Sequence, residues 1–143
     1  MLIQIKEKKR LITGLNQALA WELRAYAMYS HYAAYVKGLE SLTLKSHFEE
    51  EAAESIGHAG KVRELLALLG AEAITTRDDT PIVHTEDYRV MLEEALKTET
   101  GAAKQYQKIV PLAKDHPAFT HTLMHILMAE LNAVEEVTAL LGR

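Results

Sequence analysis

The sequence predicts an all-α fold, a four-helix bundle with one long crossover connection, and three observations predict it. Apolar residues recur at helical spacing in four separate stretches. A glycine or proline stands at the end of each stretch, where a helix must stop. The second and third stretches are separated by an aperiodic polar segment long enough to cross the length of a bundle. No strand pattern competes, because Val and Ile are scattered at helical spacing and no Asn-Gly or Asp-Gly hairpin turn is present. With 143 residues, 48% of them hydrophobic and 25% charged, residues 1–143 are expected to form one domain with a real core.

The first helix is expected from about Ile5 to Val36. Its inward stripe is Leu11, Leu15, Ala18, Leu19, Tyr26, Tyr29, Ala33 and Val36, broken at one place by Glu22, and Gly38 ends it. Ser41 is the expected N-cap of a second helix running to Leu69, with Gly70 as its stop. The short turn between these helices makes them antiparallel. Residues 71–84 form the crossover. Thr85 is the expected cap of a third helix whose inward face is Leu92, Leu96, Glu99, Ala103, Tyr106 and Val110. Pro111 kinks or thins that helix, and Asp115-His116-Pro117 turns the chain into a fourth helix over about Ala118–Leu141. Its stripe is Leu123, Ile126, Leu127, Glu130, Ala133, Val134, Val137 and Leu141. Gly142 follows almost at once, so no fifth helix is expected.

Charge and composition narrow the function. A net charge of −4 argues against general affinity for nucleic acid, and the small basic cluster Lys6, Lys8, Lys9 and Arg10 reads as a solvated helix end. The absence of cysteine excludes disulfides and thiolate metal sites, so any metal must be held by oxygen and imidazole. With no leader-like N-terminus and no apolar run of membrane-spanning length, the expected location is the cytoplasm.

The chemistry concentrates in His47–His58, which carries two histidines and four acidic residues among small apolar ones. Glu51, Glu54 and His58 share a stripe with Val62, Leu65, Leu66 and Leu69. Each helix therefore puts a carboxylate in line with the core: Glu22, Glu51 or Glu54, Glu99, and Glu130. A buried carboxylate costs several kcal/mol unless its charge is offset, and the inward stripes carry no Lys or Arg. Protonation or ion pairing would relieve some of this cost. Two divalent cations would balance four carboxylates, and an oxygen-rich set with imidazole suits iron or manganese. Tyr29 and Tyr106 follow Glu22 and Glu99 by seven residues and return to the same face, either as core tyrosines or as partners of ligand carboxylates. His121 and His125 are expected to face solvent, His31, His84 and His116 have no evident partner, and Trp21 is expected to pack, between subunits or within the chain.

The segments Trp21-Glu-Leu-Arg-Ala-Tyr-Ala-Met-Tyr29, Glu54 to His58, Met91-Leu92 leading to Glu99, and Ile126-Leu-Met-Ala-Glu130 resemble bacterioferritin and the wider ferritin-like di-iron carboxylate proteins. The resemblance spans the chain from about Leu15, and the Glu22–His58 and Glu99–Glu130 intervals match those between the family's ligands. It implies that Glu22 and Glu99 are terminal ligands, His58 the imidazole of the second helix, Glu130 a bridging carboxylate, and Tyr29 a tyrosine beside a site for two iron ions, with manganese or zinc as substitutes. Two departures matter. The family's Glu-x-x-His on the second helix is Ser55 to His58 here, and its Glu-x-x-His on the fourth is Glu130 to Ala133. Glu54, four residues before His58, is the expected replacement. Glu51 is two turns from His58, about 10 Å along the axis, too far to share its ion. Ile56 stands where bacterioferritin has its haem-binding Met, so no haem is expected.

The implied function is oxidation of Fe(II) by dioxygen or peroxide, in a homo-oligomer that is a dimer or larger but short of a closed 24-subunit shell. The rival reading is a non-catalytic, self-associating scaffold with a degenerate metal site. A rubrerythrin-type peroxidase would need a cysteine relay from another protein, and DNA protection by a cage rests on the Lys6–Arg10 cluster alone.

Overall fold

The computed structural model, described for residues 4–143, contains α1 (Lys8–Tyr35), α2 (Ser41–Leu68), α3 (Tyr88–Ile109) and α4 (Pro117–Leu140), with a 3-10 turn over Val110–Ala113. It is all-α, as the periodicity requires. Helix α1 begins at Lys8, later than the apolar pattern suggested, although Ile5 is buried in the core. Gly38, Gly70 and Gly142 take the left-handed conformation after α1, α2 and α4 (φ 80°, 72° and 78°), as the sequence predicted for helix stops.

The helix starts differ from the sequence reading. Ser41 is the first residue of α2 and not its cap; its hydroxyl donates back to the Gly38 carbonyl at 2.7 Å. Thr85 does not cap α3. Asp87 does, accepting from the Arg89 N–H at 2.9 Å, a place where the helix dipole favours a carboxylate over a hydroxyl. Pro111 does not kink a continuing helix, because α3 ends at Ile109 and tightens into the 3-10 turn. Helix α4 is capped by the His116 ring, whose Nδ1 accepts from Phe119 N–H at 3.3 Å, with Pro117 as its first residue. His116 thus has the partner that spacing alone did not supply.

Helices α1 and α3 are antiparallel: Trp21 Nε1 donates to the Thr98 carbonyl at 2.8 Å, and Gln105 Nε2 to that of Gly14 at 3.1 Å. The crossover climbs beside α1 in the same direction. Ile74 N–H donates to Asn16 Oδ1, Asp78 N–H to the Ala20 carbonyl, Arg24 to the Thr80 and Pro81 carbonyls, and Tyr32 to that of Val83. At its upper end His31 and His84 meet, Nε2 to Nδ1, at 2.8 Å. Trp21 packs within the chain, against Gly101 and beneath Arg24, whose guanidinium lies 4.8 Å from the ring centre.

Two apolar clusters fill the bundle. The lower joins Leu11, Leu15, Leu19, Val62, Leu66, Tyr106 and Ile126; the upper joins Met28, Tyr29, Tyr32, Phe48, Met91 and Val137. Between them lies a layer of buried polar side chains from all four helices: Glu22, Glu51, Ser55, His58, Glu99 and Glu130. The inward face of α1 passes from Glu22 through Ala25 to Tyr29, leaving Tyr26 outside at 42% exposure, contrary to its place in the predicted stripe. Among the described residues no helix is long and apolar enough to cross a membrane.

Candidate metal centre

Three of the predicted residues converge at the middle of the layer. His58 Nδ1 lies 2.9 Å from Glu22 Oε2 and 3.0 Å from Glu130 Oε1, and one donor atom from each of the three falls within 4.8 Å of the others. All are buried. Glu99, also buried, reaches the layer from α3 and accepts the Tyr29 hydroxyl at 2.7 Å. Tyr106 on α3 donates to Glu22 on α1 at 3.3 Å. The two seven-residue intervals therefore produce a reciprocal arrangement in which each hairpin's tyrosine supports the other hairpin's carboxylate.

Burial sets the electrostatics. It lifts the Glu22, Glu99 and Glu130 carboxyls above their usual range. Glu99 lies well above that range, through burial first and then through a hydrogen bond shared with Glu130. Burial alone would depress His58, but its contacts with Glu130 and Glu22 outweigh that and raise it to about 10. The Tyr29 and Tyr106 hydroxyls are pushed well above 10 by burial and by Glu99 and Glu22 respectively, so both are donors at neutral pH. Left to its own side chains the layer is balanced by one imidazolium and by protons. Among the described residues no Lys or Arg forms an ion pair with these carboxylates. Arg24 is buried nearby but donates to Thr98, Thr80 and Pro81.

Glu54 stands apart from the trio. Its side chain is 43% exposed, with Oε1 3.6 Å from His58 Nε2 on the outer rim of the layer. Glu51 is buried instead, and lines one small recess together with Glu54, His58, Glu99 and Glu130. Its carboxyl is raised to about 8 by burial and by Glu99. Ser55 and Ala133 line the same recess and bring no strong donor. Sequence reasoning placed His47 in the chemistry-bearing stretch without giving it a ligand role and passed over Glu136; the two form a second group with Glu51. The i, i+4 spacing of His47 and Glu51 was the available signal; Glu136, beside Val137 on the flank of the α4 stripe, offered none. His121 and His125 are exposed, as expected.

The donor set fits a divalent transition ion. Buried carboxylates with an imidazole, and with no Lys or Arg paired to them among the described residues, suit iron or manganese. Glu22, His58 and Glu130 could hold one ion, with Glu99 beside them; the donors that Ser55 and Ala133 would have brought in the family pattern are absent.

Comparison with known proteins agrees with this geometry. The family model described as a ferritin-like domain matches residues 12–143. A ferritin-like, diiron-carboxylate protein from Bacillus anthracis str. Ames has 34% identity and a TM-score of 0.90, covering 96% of this chain and 99% of that one. The bacterioferritin-related protein of Bacteroides fragilis, described as a dodecameric thioferritin, superposes with a TM-score of 0.84 at 24% identity, over 92% of this chain and 84% of its own. A DPS protein from Vibrio cholerae O1 shares the fold at 17% identity, with a TM-score of 0.87 over 94% of this chain and 91% of its own. No curated protein matches. With its four-helix layer of buried carboxylates and a family match over almost its whole length, this chain belongs to the ferritin-like domain family.

Proposed function

We propose that the chain takes up Fe(II) as substrate in the polar layer and passes its electrons to dioxygen or peroxide. The observation that carries this reading is the convergence of Glu22 and Glu130 on His58 Nδ1 inside a layer where, among the described residues, no Lys or Arg pairs with the carboxylates. Each Fe(II) gives up one electron, so reduction of peroxide to water consumes two. Carboxylates favour the Fe(III) product as a hard, oxygen-preferring cation, and the His58 imidazole biases the position towards transition metals over magnesium or calcium.

The chain's own groups prepare the site. The Tyr29 hydroxyl fixes the rotamer of Glu99, and the Tyr106 hydroxyl that of Glu22. Tyr29 is also the residue proposed to lend one electron to the oxidant, its phenolic proton passing to the Glu99 oxygen 2.7 Å away and both returning to it when a further Fe(II) supplies an electron. Apolar clusters above and below exclude water. We further propose a cytoplasmic homo-oligomer, in keeping with the dodecamer described for the Bacteroides fragilis relative; light scattering on the purified chain measures its size.

Anaerobic loading with Fe(II) followed by air should give a fast rise in ferric absorbance that Glu130→Ala and His58→Ala abolish. The absence of a rise in the wild type, or a rise unaffected by both substitutions, overturns the proposal. Ser55 and Ala133 favour a second reading, a structural ferritin-like scaffold with a degenerate site. Elemental analysis of protein purified without chelator separates the two: the scaffold predicts negligible iron.

A further inference from the structure

We propose that His47, Glu51 and Glu136 form a second metal-ion site, displaced along the bundle from the Glu22–His58–Glu130 centre and replacing the position weakened by Ser55 and Ala133. One donor atom from each of the three lies within 4.8 Å of the others, a spread that a small movement closes around one cation with ligands about 2.0–2.2 Å away.

Two features distinguish this group from a chance cluster of acids. His47 is 8% exposed, and its Nε2 is buried without a hydrogen-bond partner, while Nδ1 lies 3.4 Å from Glu136 Oε1. Glu51 is likewise 8% exposed, and among the described residues no hydrogen bond or ion pair reaches its carboxylate. A buried carboxylate with no basic side chain beside it is costly. A cation held by Glu51, Glu136 and the His47 ring would offset the charge of Glu51.

The register explains the position. Helices α2 and α4 are antiparallel, so a step towards the start of α2 and a step towards the end of α4 go the same way along the bundle. Glu51 lies one turn before Ser55, and Glu136 lies about one turn after Ala133. The two donors missing at Ser55 and Ala133 are thereby supplied one turn, about 5 Å, further along. Glu51 lines the same recess as His58, Glu99 and Glu130, so the two sites adjoin. The Glu136 side chain is 56% exposed, which leaves the displaced site open to solvent and gives ions a way in. Its mixed nitrogen and oxygen set suits Fe(II), Mn(II) or Zn(II) better than the all-oxygen preference of calcium or magnesium.

This inference concerns metal binding alone and does not require that iron be oxidised. The test is anomalous diffraction from crystals of the full chain equilibrated with Zn(II) and, separately, Mn(II), together with metal-to-protein ratios from dialysed solutions. The wild type should show about two ions per chain, one peak at Glu22, His58 and Glu130 and one at His47, Glu51 and Glu136. Glu51→Gln and His47→Phe should each remove the second peak and lower the ratio to about one, and His58→Ala should remove only the first. A wild-type peak confined to the central trio, or a ratio unchanged in both Glu51→Gln and His47→Phe, overturns the displaced site while leaving the central one intact. No peak at either position overturns both.

Discussion

Raising the pH should destabilise the protein in the presence of a chelator. His58 is held at about 10 against an ordinary 6.5, so between these values the folded chain keeps a proton that the unfolded chain has lost. Its contribution is fully present below 6.5 and disappears as pH climbs through 10, at up to about 1.4 kcal/mol per pH unit. Glu51, raised from 4.5 to about 8, has the same sign: its folded form retains a proton over that interval, so stability also falls as pH rises across it. From pH 7 to pH 9 the loss is about 2.5 kcal/mol from His58 and about 1.5 kcal/mol from Glu51. For a chain of this size about 4 kcal/mol lowers Tm by roughly 8–16 °C. Thermal melts followed by circular dichroism in EDTA measure this directly. His58→Gln should abolish the part of the loss above pH 8. Equal stability of the wild type at pH 7 and pH 9, or an unaltered loss in His58→Gln, would refute the reasoning.

Other expectations test separate elements of the structure. Tyr29→Phe strands a buried Glu99 oxygen and should cost about 1–3 kcal/mol by urea denaturation, while slowing ferric product formation if the phenol lends an electron. Arg24→Met removes three hydrogen bonds, two of them to the crossover. Amide exchange in residues 74–84 should then accelerate more than exchange in α2. A Cβ at Gly14 would meet Ile109 Cγ2 at 2.3 Å. Gly14→Ala should therefore lower stability by about 1–3 kcal/mol despite its better helix propensity, and a stabilised variant would contradict the packing described.

Periodicity and punctuation were enough to read the helices, their order and the crossover, because the 3.6-residue pattern is carried by many residues at once. Caps were read less well. Ser41 and Thr85 have suitable side chains, but α2 starts at Ser41 without a side-chain cap, and Asp87 caps α3 in place of Thr85. Glu22, Glu99 and Glu130 stood out because each is a carboxylate alone in an apolar stripe. Tyr106 was legible only as a residue seven beyond Glu99, and its bond to Glu22 depends on how two antiparallel helices face each other. Spacing favoured Glu54 over Glu51, because Glu54 is four residues from His58 and Glu51 seven. Burial separates them, leaving Glu54 at the rim and bringing Glu51 inside with His47. The pairing of His31 with His84 depends on the path of the crossover, which no local pattern encodes.

On the proposed function, the buried carboxylates around His58 bind a transition-metal ion. Isothermal titration of anaerobic Fe(II) into the chelator-treated protein at pH 7, repeated in buffers of differing ionisation enthalpy, tests it most directly by counting the protons that binding expels. With His58 held near 10 and the carboxyls raised by burial, binding should release at least about one proton per ion and become tighter as pH rises. Heat that does not vary with the buffer, or affinity unchanged between the wild type and His58→Ala, would contradict it.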